Sequence, residues 1–476
     1  MPTQQPTPTR LPFSKPRQES HRILLTHISE SEQTVWVYDY ELNQVVPLTT
    51  LPADISLYVQ EEPEIDPDLA HLYEPLPNGL PFRWLAPSPD GTMLATLQPA
   101  LGGMANYIHQ IDLLSGEILS IQIMDGYEWT IPIVPGRTPT LGPPVPRADA
   151  ILENASDVFW GFDWAPDSSG FTFTIRTPVF ELFEPDRYQF YYVERGSTEV
   201  LPWGSSAPGT TVGEFPLWSP DGSMVAYLGD LHTFGIWVVQ SDDPTGATQL
   251  TDKYVRDLDF RWSDDGKGIY YERAFTNANG DPEIGLFRVD VTTGDIEEIY
   301  SVIKQIDEEI SFGFGNQTPD GDTLIISEVH RVAVDPLSSD PEFEYDPARS
   351  KMIYIKDGEI TELGIYAEEA RPLFSRSPTE NWINLKLEPT ETCMILSLPE
   401  EEIILGPDSS LCKVGSWSPD GHLLSGVTED GEYLVFDLDT KELVVLPIEL
   451  DPEGIQYFRW IQEPSVYDEI VEAQAP

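Results

Sequence analysis

The chain has 476 residues, with 27 Lys and Arg against 81 Asp and Glu, a formal net charge of −54. A surface this acidic repels nucleic-acid phosphates and anionic lipid heads, which argues against both as partners; it favours cations and cationic partners, or reflects a salty or acidic habitat. Hydrophobic residues make up 40%, enough for a large core, yet no run of about 18 apolar residues is present to span a membrane.

Residues 1–20, "MPTQQPTPTRLPFSKPRQES", are rich in Pro, Thr and Gln and lack the apolar centre of a leader peptide. They read as an extended, disordered linker. Such a segment suits a tethered envelope protein whose leader or lipid anchor lies upstream of Met1, or it is an ordinary ragged start. Next come three short runs, "RILLTHI", "QTVWVYDY" and "QVVPLT", with the β-branched and aromatic content of strands. A Pro-rich insertion near 50–81 follows. A further insertion near 127–158, one near 329–350 and a tail at 463–476 interrupt or end the pattern.

Between these segments one unit recurs: "WLAPSPDGTMLATL" from Trp84, "FDWAPDSSGFTFTI" from Phe162, "LWSPDGSMVAYL" from Leu217, "FRWSDDGKGIYYE" from Phe260, "NQTPDGDTLIIS" from Asn316 and "GSWSPDGHLLSGV" from Gly415. Asp90, Asp167, Asp221, Asp265, Asp320 and Asp420 hold one equivalent position. The gap before Asp420 is long enough to hide a copy, and "LFSRSPTENWINLKL" from Leu373 fills it with the Asp-Gly lost. After each turn come two or three further apolar runs broken by Gly, Asp and Pro. Each unit is therefore predicted to be a four-stranded antiparallel blade, and the all-β fold to be a single β-propeller over residues 21–462. "QYFRWI", Gln456 to Ile461, supplies a first strand without successors, and the N-terminal runs supply three strands without a first. Shared between both termini, they make one closing blade. The count is eight, or seven if the copy near Leu373 is absorbed differently.

The "WSPDG" turn followed by an "IYY"-type strand resembles the TolB-like, WD-like propeller repeat of bacterial envelope proteins, which also occurs in the propellers of prolyl-oligopeptidase-type peptidases. The resemblance covers about His21 to Ile461 and implies the fold. It also implies an extracellular or envelope setting in a prokaryote, with the cytoplasm as the other compartment open to the chain. TolB itself carries a small α/β domain ahead of typically six blades, a pattern this sequence does not repeat. The peptidases need a Gly-x-Ser-x-Gly elbow, and no such motif occurs here.

Within the turn, Pro sets φ, Asp accepts from amides ahead of it and Gly takes positive φ. Recurrence in blade after blade marks Asp90, Asp167, Asp221, Asp265, Asp320 and Asp420 as structural. Departures from the repeat are the better functional candidates. The three insertions carry Tyr58 and Tyr73, Trp129, and Phe343 and Tyr345, aromatic residues on long loops of a rigid scaffold. The hairpin "TNANGDPEIG" places Asn277, Asn279, Asp281 and Glu283 at alternate positions, loosely the spacing of an oxygen-ligated Ca²⁺ loop, although Asn-Gly-Asp is also an ordinary hairpin turn. No other cofactor is indicated. The seven histidines are scattered without metal spacing, and 81 acids make any carboxylate pair uninformative. Cys393 and Cys412 allow one disulfide or two thiols.

These features point to a non-enzymatic module that binds a protein or glycan at the cell envelope. The alternatives are a propeller-type glycan lyase or hydrolase with a site in the central channel, and a structural subunit of a surface assembly.

Overall fold

A computed structural model describes residues 21–28, 33–51, 85–99, 105–122, 158–177, 187–203, 216–228, 235–251, 260–305, 308–317, 323–333, 343–346, 349–356, 359–363, 371–379, 382–388, 392–397, 402–405, 413–427, 432–446, 448, 455–461 and 467–468. Among the described residues eight antiparallel sheets are present. The first blade joins Arg22–Ile28, Gln33–Asp39 and Gln44–Leu51 to the C-terminal strand Ile455–Trp460. The second to fourth blades begin at Leu85–Pro87, Val158–Trp164 and Leu217–Trp218. The fifth to eighth begin at Phe260–Trp262, Glu308–Gln317, Arg371–Arg376 and Lys413–Trp417. In the second to eighth blades the strands then follow in chain order from one edge to the other. The fold is a β-propeller, and the degenerate copy near Leu373 forms a sheet of its own.

Burial explains why the middle strands read as continuous apolar runs. In the eighth blade all five residues of Tyr433–Asp437 are buried, whereas in Glu442–Val445, the last strand, three are exposed. A middle strand meets a neighbouring blade on both faces, so both sides of the pleat are apolar. The last strand faces solvent and keeps only partial cover.

The cores lie between blades rather than within them. Leu24 and Val35 of the first blade pack with Leu94 and Ile111 of the second. Phe190 and Trp203 of the third pack with Val225 and Tyr227 of the fourth. Similar clusters join fourth to fifth, fifth to sixth, seventh to eighth, and eighth back to first through Leu423, Val435, Ile23 and Trp460.

The repeated tryptophan has a polar duty at these seams. Trp164 Nε1 donates to the Ala86 carbonyl (2.8 Å), Trp262 Nε1 to the Leu217 carbonyl (2.9 Å) and Trp460 Nε1 to the Ser416 carbonyl (3.0 Å). Each acceptor is on the first strand of the preceding blade. A buried indole N–H needs a partner, and one carbonyl per seam supplies it.

The sixth blade departs from the predicted four strands. Its second strand, Thr323–Ala333, runs eleven residues, and a fifth strand, Phe343–Tyr345, pairs with its far end as Arg331↔Tyr345 and Ala333↔Phe343. The sequence reading treats 329–350 as a loop. The β-branched run through Val329 and Val332 continues the strand into it, because Glu308–Ser311 offers a ladder opposite.

Candidate functional site

The Ser-Pro-Asp-Gly turns have one shared construction. Asp221 Oδ1 accepts from Ser219 Oγ at 2.7 Å and from the Ser223 amide at 3.0 Å. Asp265 repeats this with Ser263 and the Lys267 amide, and Asp420 with Ser418 and the His422 amide. Hydrogen bonds from Ser219 and Ser223 hold the Asp221 carboxyl below the usual range. Asp167 accepts from the Ser169 amide, and Asp320 lies outside the described residues.

Turns of adjacent blades also touch. Gly266, at φ +66°, sits over Pro220 and Asp221 of the preceding turn, and Gly222, at φ +71°, over Pro166 and Asp167. The Asp90 amide donates to Ser168 Oγ at 3.0 Å, in the next blade. Asp90 Oδ2 lies 2.6 Å from Arg195 Nη1.

Of the predicted binding residues, Tyr58, Tyr73 and Trp129 lie outside the described residues. Phe343 and Tyr345 fall on the fifth strand of the sixth blade. In the candidate calcium hairpin, Asn277 Oδ1 accepts from the Asn279 amide (2.9 Å) and the Asp281 amide (3.0 Å), and Asn277 Nδ2 donates to the Glu283 carboxylate. Asn277 and Glu283 are brought together, with the Asn277 amide group engaged in closing the turn. Cys393 is on the strand Thr392–Ser397 and Cys412 is outside the described residues.

The structure assembles a cluster that the sequence spacing did not reveal, at the root of the third insertion. His330, on the long strand of the sixth blade, is held between two buried carboxylates: Nδ1 by Glu308 and Nε2 by Glu328 at 2.5 Å. Arg349 Nη2 lies 2.8 Å from Glu308, Lys351 Nζ 3.7 Å from Glu328 and 2.8 Å from Glu362. Tyr300 of the fifth blade donates its hydroxyl to Glu328 Oε2 at 2.5 Å. The His330 amide donates to Ser350 Oγ (2.9 Å), which donates in turn to the Asp346 carbonyl (2.8 Å).

Burial opposes the charge on His330, but the bonds to Glu328 and Glu308 outweigh it and raise its pKa. Burial also opposes the Glu308 charge, while His330, the Gln305 amide and Arg349 hold its carboxyl below the usual range. With a carboxylate on each nitrogen, the imidazole donates from both and has no lone pair for a metal or for base catalysis. Three cations, His330, Arg349 and Lys351, face three anions, Glu308, Glu328 and Glu362. The arrangement is a charge-balanced anchor. Its members come from five strands or turns, so only a residue count of His and Glu was available to the sequence reading, and 81 acids hide it.

A second buried histidine sits at the first blade. His21 Nδ1 is 2.7 Å from Glu41 Oε1 and His21 Nε2 is 2.7 Å from Asp420 Oδ2, in the turn of the eighth blade. Burial works against its charge, yet Asp420 and Glu41 raise its pKa from 6.5 to about 9. Among the described residues no group of three or more His, Cys, Asp or Glu is arranged to hold a metal ion.

No family model matches the sequence, and no curated protein is similar to it. Solved structures are similar in fold. Dihydro-heme d1 dehydrogenase NirN aligns over 95% of this chain and 78% of its own at 13% identity and TM-score 0.51. An oligogalacturonate lyase from Vibrio parahaemolyticus aligns over 60% of this chain and 75% of its own, at 13% identity and TM-score 0.39. A putative TolB from Agrobacterium tumefaciens aligns over 72% and 88%, at 15% identity and TM-score 0.30. At such identities the likeness speaks to fold alone, and the class it supports is the β-propeller.

Proposed function

We propose that this chain is a non-enzymatic propeller of eight blades closed into one ring, working as an interaction module of the TolB-like kind at a prokaryotic cell envelope. Its partner is a protein or glycan, and the acidity favours a protein with a basic surface. The third insertion is the docking element. The observation that carries this reading is the anchor beneath it: the strand Phe343–Tyr345 is zipped onto the sixth blade beside the buried His330–Glu308–Glu328 cluster. A loop meant only to cover an edge does not require a buried, charge-balanced foundation. An insertion whose Phe343–Tyr345 backbone is held in fixed register gains affinity from such preorganisation.

The carboxylates of this cluster are engaged by His330, Arg349 and Tyr300, which argues for positioning rather than acid–base chemistry at this place. The test compares the native chain with a Phe343→Ala, Tyr345→Ala double variant in binding to immobilised basic proteins and to a glycan array at low and high salt. A salt-sensitive protein ligand lost in the variant, with an unchanged melt, supports the reading. Equal binding by both overturns the docking role of the insertion, and turnover of an arrayed glycan overturns the non-enzymatic assignment.

A further inference from the structure

We infer that the first blade is the gate of the ring, and that protonated His21 is the clamp that keeps it shut. In the other seven blades the four main strands follow one another along the chain, with the added strand Phe343–Tyr345 of the sixth set beside them. In the first blade the strand Ile455–Trp460 meets its partner Arg22–Ile28 across more than 400 residues, so the two part without straining any covalent connection between them. Their ladder is short and imperfect: Ile23↔Trp460 to Thr26↔Tyr457, then a register shift before His27↔Ile455.

If that ladder opens, the C-terminal segment stays with the rest of the ring, because Trp460 Nε1 is bonded to the Ser416 carbonyl of the eighth blade at 3.0 Å and Tyr467 donates to the Gly91 carbonyl of the second. The body that leaves is the N-terminal three strands. His21 joins these two bodies. Its backbone amide donates to Glu41 Oε2 (2.8 Å) and its Nδ1 meets Glu41 Oε1, both on the departing side. Its Nε2 meets Asp420 Oδ2 on the staying side at 2.7 Å. Its ring also lies edge-on to Trp460, with centroids 6.1 Å apart.

A second ion pair crosses the same division: Arg22 Nη1 lies 2.7 Å from Asp468, while Arg22 Nε bonds Asp39. Among the described residues, the further charged or titratable groups near this seam are His422 with Asp439 beside Asp420, and Tyr40 and Tyr433 in the apolar seam. Burial pushes Tyr433 up to about 12. His21 is therefore the member of the seam that changes charge on the mildly alkaline side.

The direction of the pH effect follows from the shift. The folded-state pKa of His21, about 9, exceeds its ordinary 6.5. The clamp is at full strength below about pH 6.5 and weakens as pH rises toward and through about 9. Glu41 stays with His21 when the seam parts and only Asp420 is left behind, so the closing equilibrium changes by less than the roughly 300-fold to which the whole displacement corresponds.

The experiment follows amide exchange in the full chain from pH 6 to 10, corrected for intrinsic rates, with His21→Gln and His422→Gln as variants. The expected result is a selective loss of protection at Leu24 and Leu25, relative to Leu286 of the fifth blade, as pH rises through about 9. That step is absent in His21→Gln, which is poorly protected at every pH, and is kept in His422→Gln. Should His21→Gln not fold, Glu41→Gln serves instead, and its step moves to lower pH. Simultaneous loss of protection in all blades, or an identical pH profile in the His21 or Glu41 variant and the native chain, would overturn the clamp.

Discussion

Arg195, in the third blade, places Nη1 2.6 Å from the carboxylate of Asp90 in the second. Its other nitrogen donates to Thr92 Oγ1 at 2.7 Å. The turn aspartate thus has two duties at this seam. One oxygen caps its own turn, and the other ties that turn to the next blade. Asp221 bonds within its own turn, to Ser219 and Ser223.

Asp90→Ala is therefore expected to cost more than Asp221→Ala. Loss of the local cap costs about 1 kcal/mol in either case. Asp90 adds the ion pair and the bond to Thr92, of which partial exposure of Arg195 leaves roughly another 1 kcal/mol. Thermal melts of the two variants check this. Equal midpoints would show that the cross-blade pair contributes nothing.

The two turn glycines Gly91 and Gly222 separate backbone freedom from packing. Both take positive φ, +72° and +71°. A Cβ at Gly222 meets nothing closer than 3.7 Å, from Pro166, whereas at Gly91 it collides with the Ile461 side chain. Gly222→Ala should cost about 1 kcal/mol from the left-handed backbone alone. Gly91→Ala should cost about 1–3 kcal/mol more, from overpacking, and Ile461→Ala should relieve part of it in a double-mutant cycle.

Trp262→Phe keeps most of the apolar seam between fourth and fifth blades and removes the indole bond to the Leu217 carbonyl. A loss of about 1–2 kcal/mol is expected in denaturant titration. A full core-cavity loss, of about 3–5 kcal/mol as for Trp→Ala, would instead show that shape rather than the hydrogen bond is what the seam needs.

His330→Gln puts a neutral side chain between buried Glu308 and Glu328 and leaves Arg349 and the more distant Lys351 as their cations. A penalty of about 3 kcal/mol is expected, accompanied by faster amide exchange at Phe343–Tyr345. The pH signs differ between partners. Glu308, held below 4.5, contributes stability that is present above its ordinary value and lost as pH falls through its folded one. His330, raised above 6.5, contributes stability that is present below its ordinary value and lost as pH rises through its folded one. Stability of the native chain should therefore decline on both sides, and the variant should lose the alkaline component belonging to His330.

Much of the architecture was legible because it is repetitive. The turn at Ser219–Gly222 recurs often enough for its spacing to count units, and the short β-branched and aromatic runs next to it, broken by Gly, Asp and Pro, read as strands. The degenerate copy near Leu373 was legible from the gap around it. The fifth strand Phe343–Tyr345 was not: its three residues carry Pro and Asp nearby, and they become a strand only because the extended Thr323–Ala333 offers free ladder positions. Tyr467 was hidden for the same reason. It is a lone aromatic in an acidic tail with no repeat around it, yet it is fully buried with its hydroxyl donating to the Gly91 carbonyl.

By itself the sequence determined the class of fold, the place of each turn and the residues that cap it, because these depend on contacts a few positions apart. Tertiary structure alone decided the partners of His21, Asp90 and His330. Each is met by a charge from a strand or turn remote along the chain: His21 and Asp420 are 399 positions apart, and Arg195 and Asp90 are 105 apart. A carboxylate gains specificity when burial removes water and leaves one cation within reach. In a chain with 81 acids, only the folded arrangement distinguishes those carboxylates from the rest.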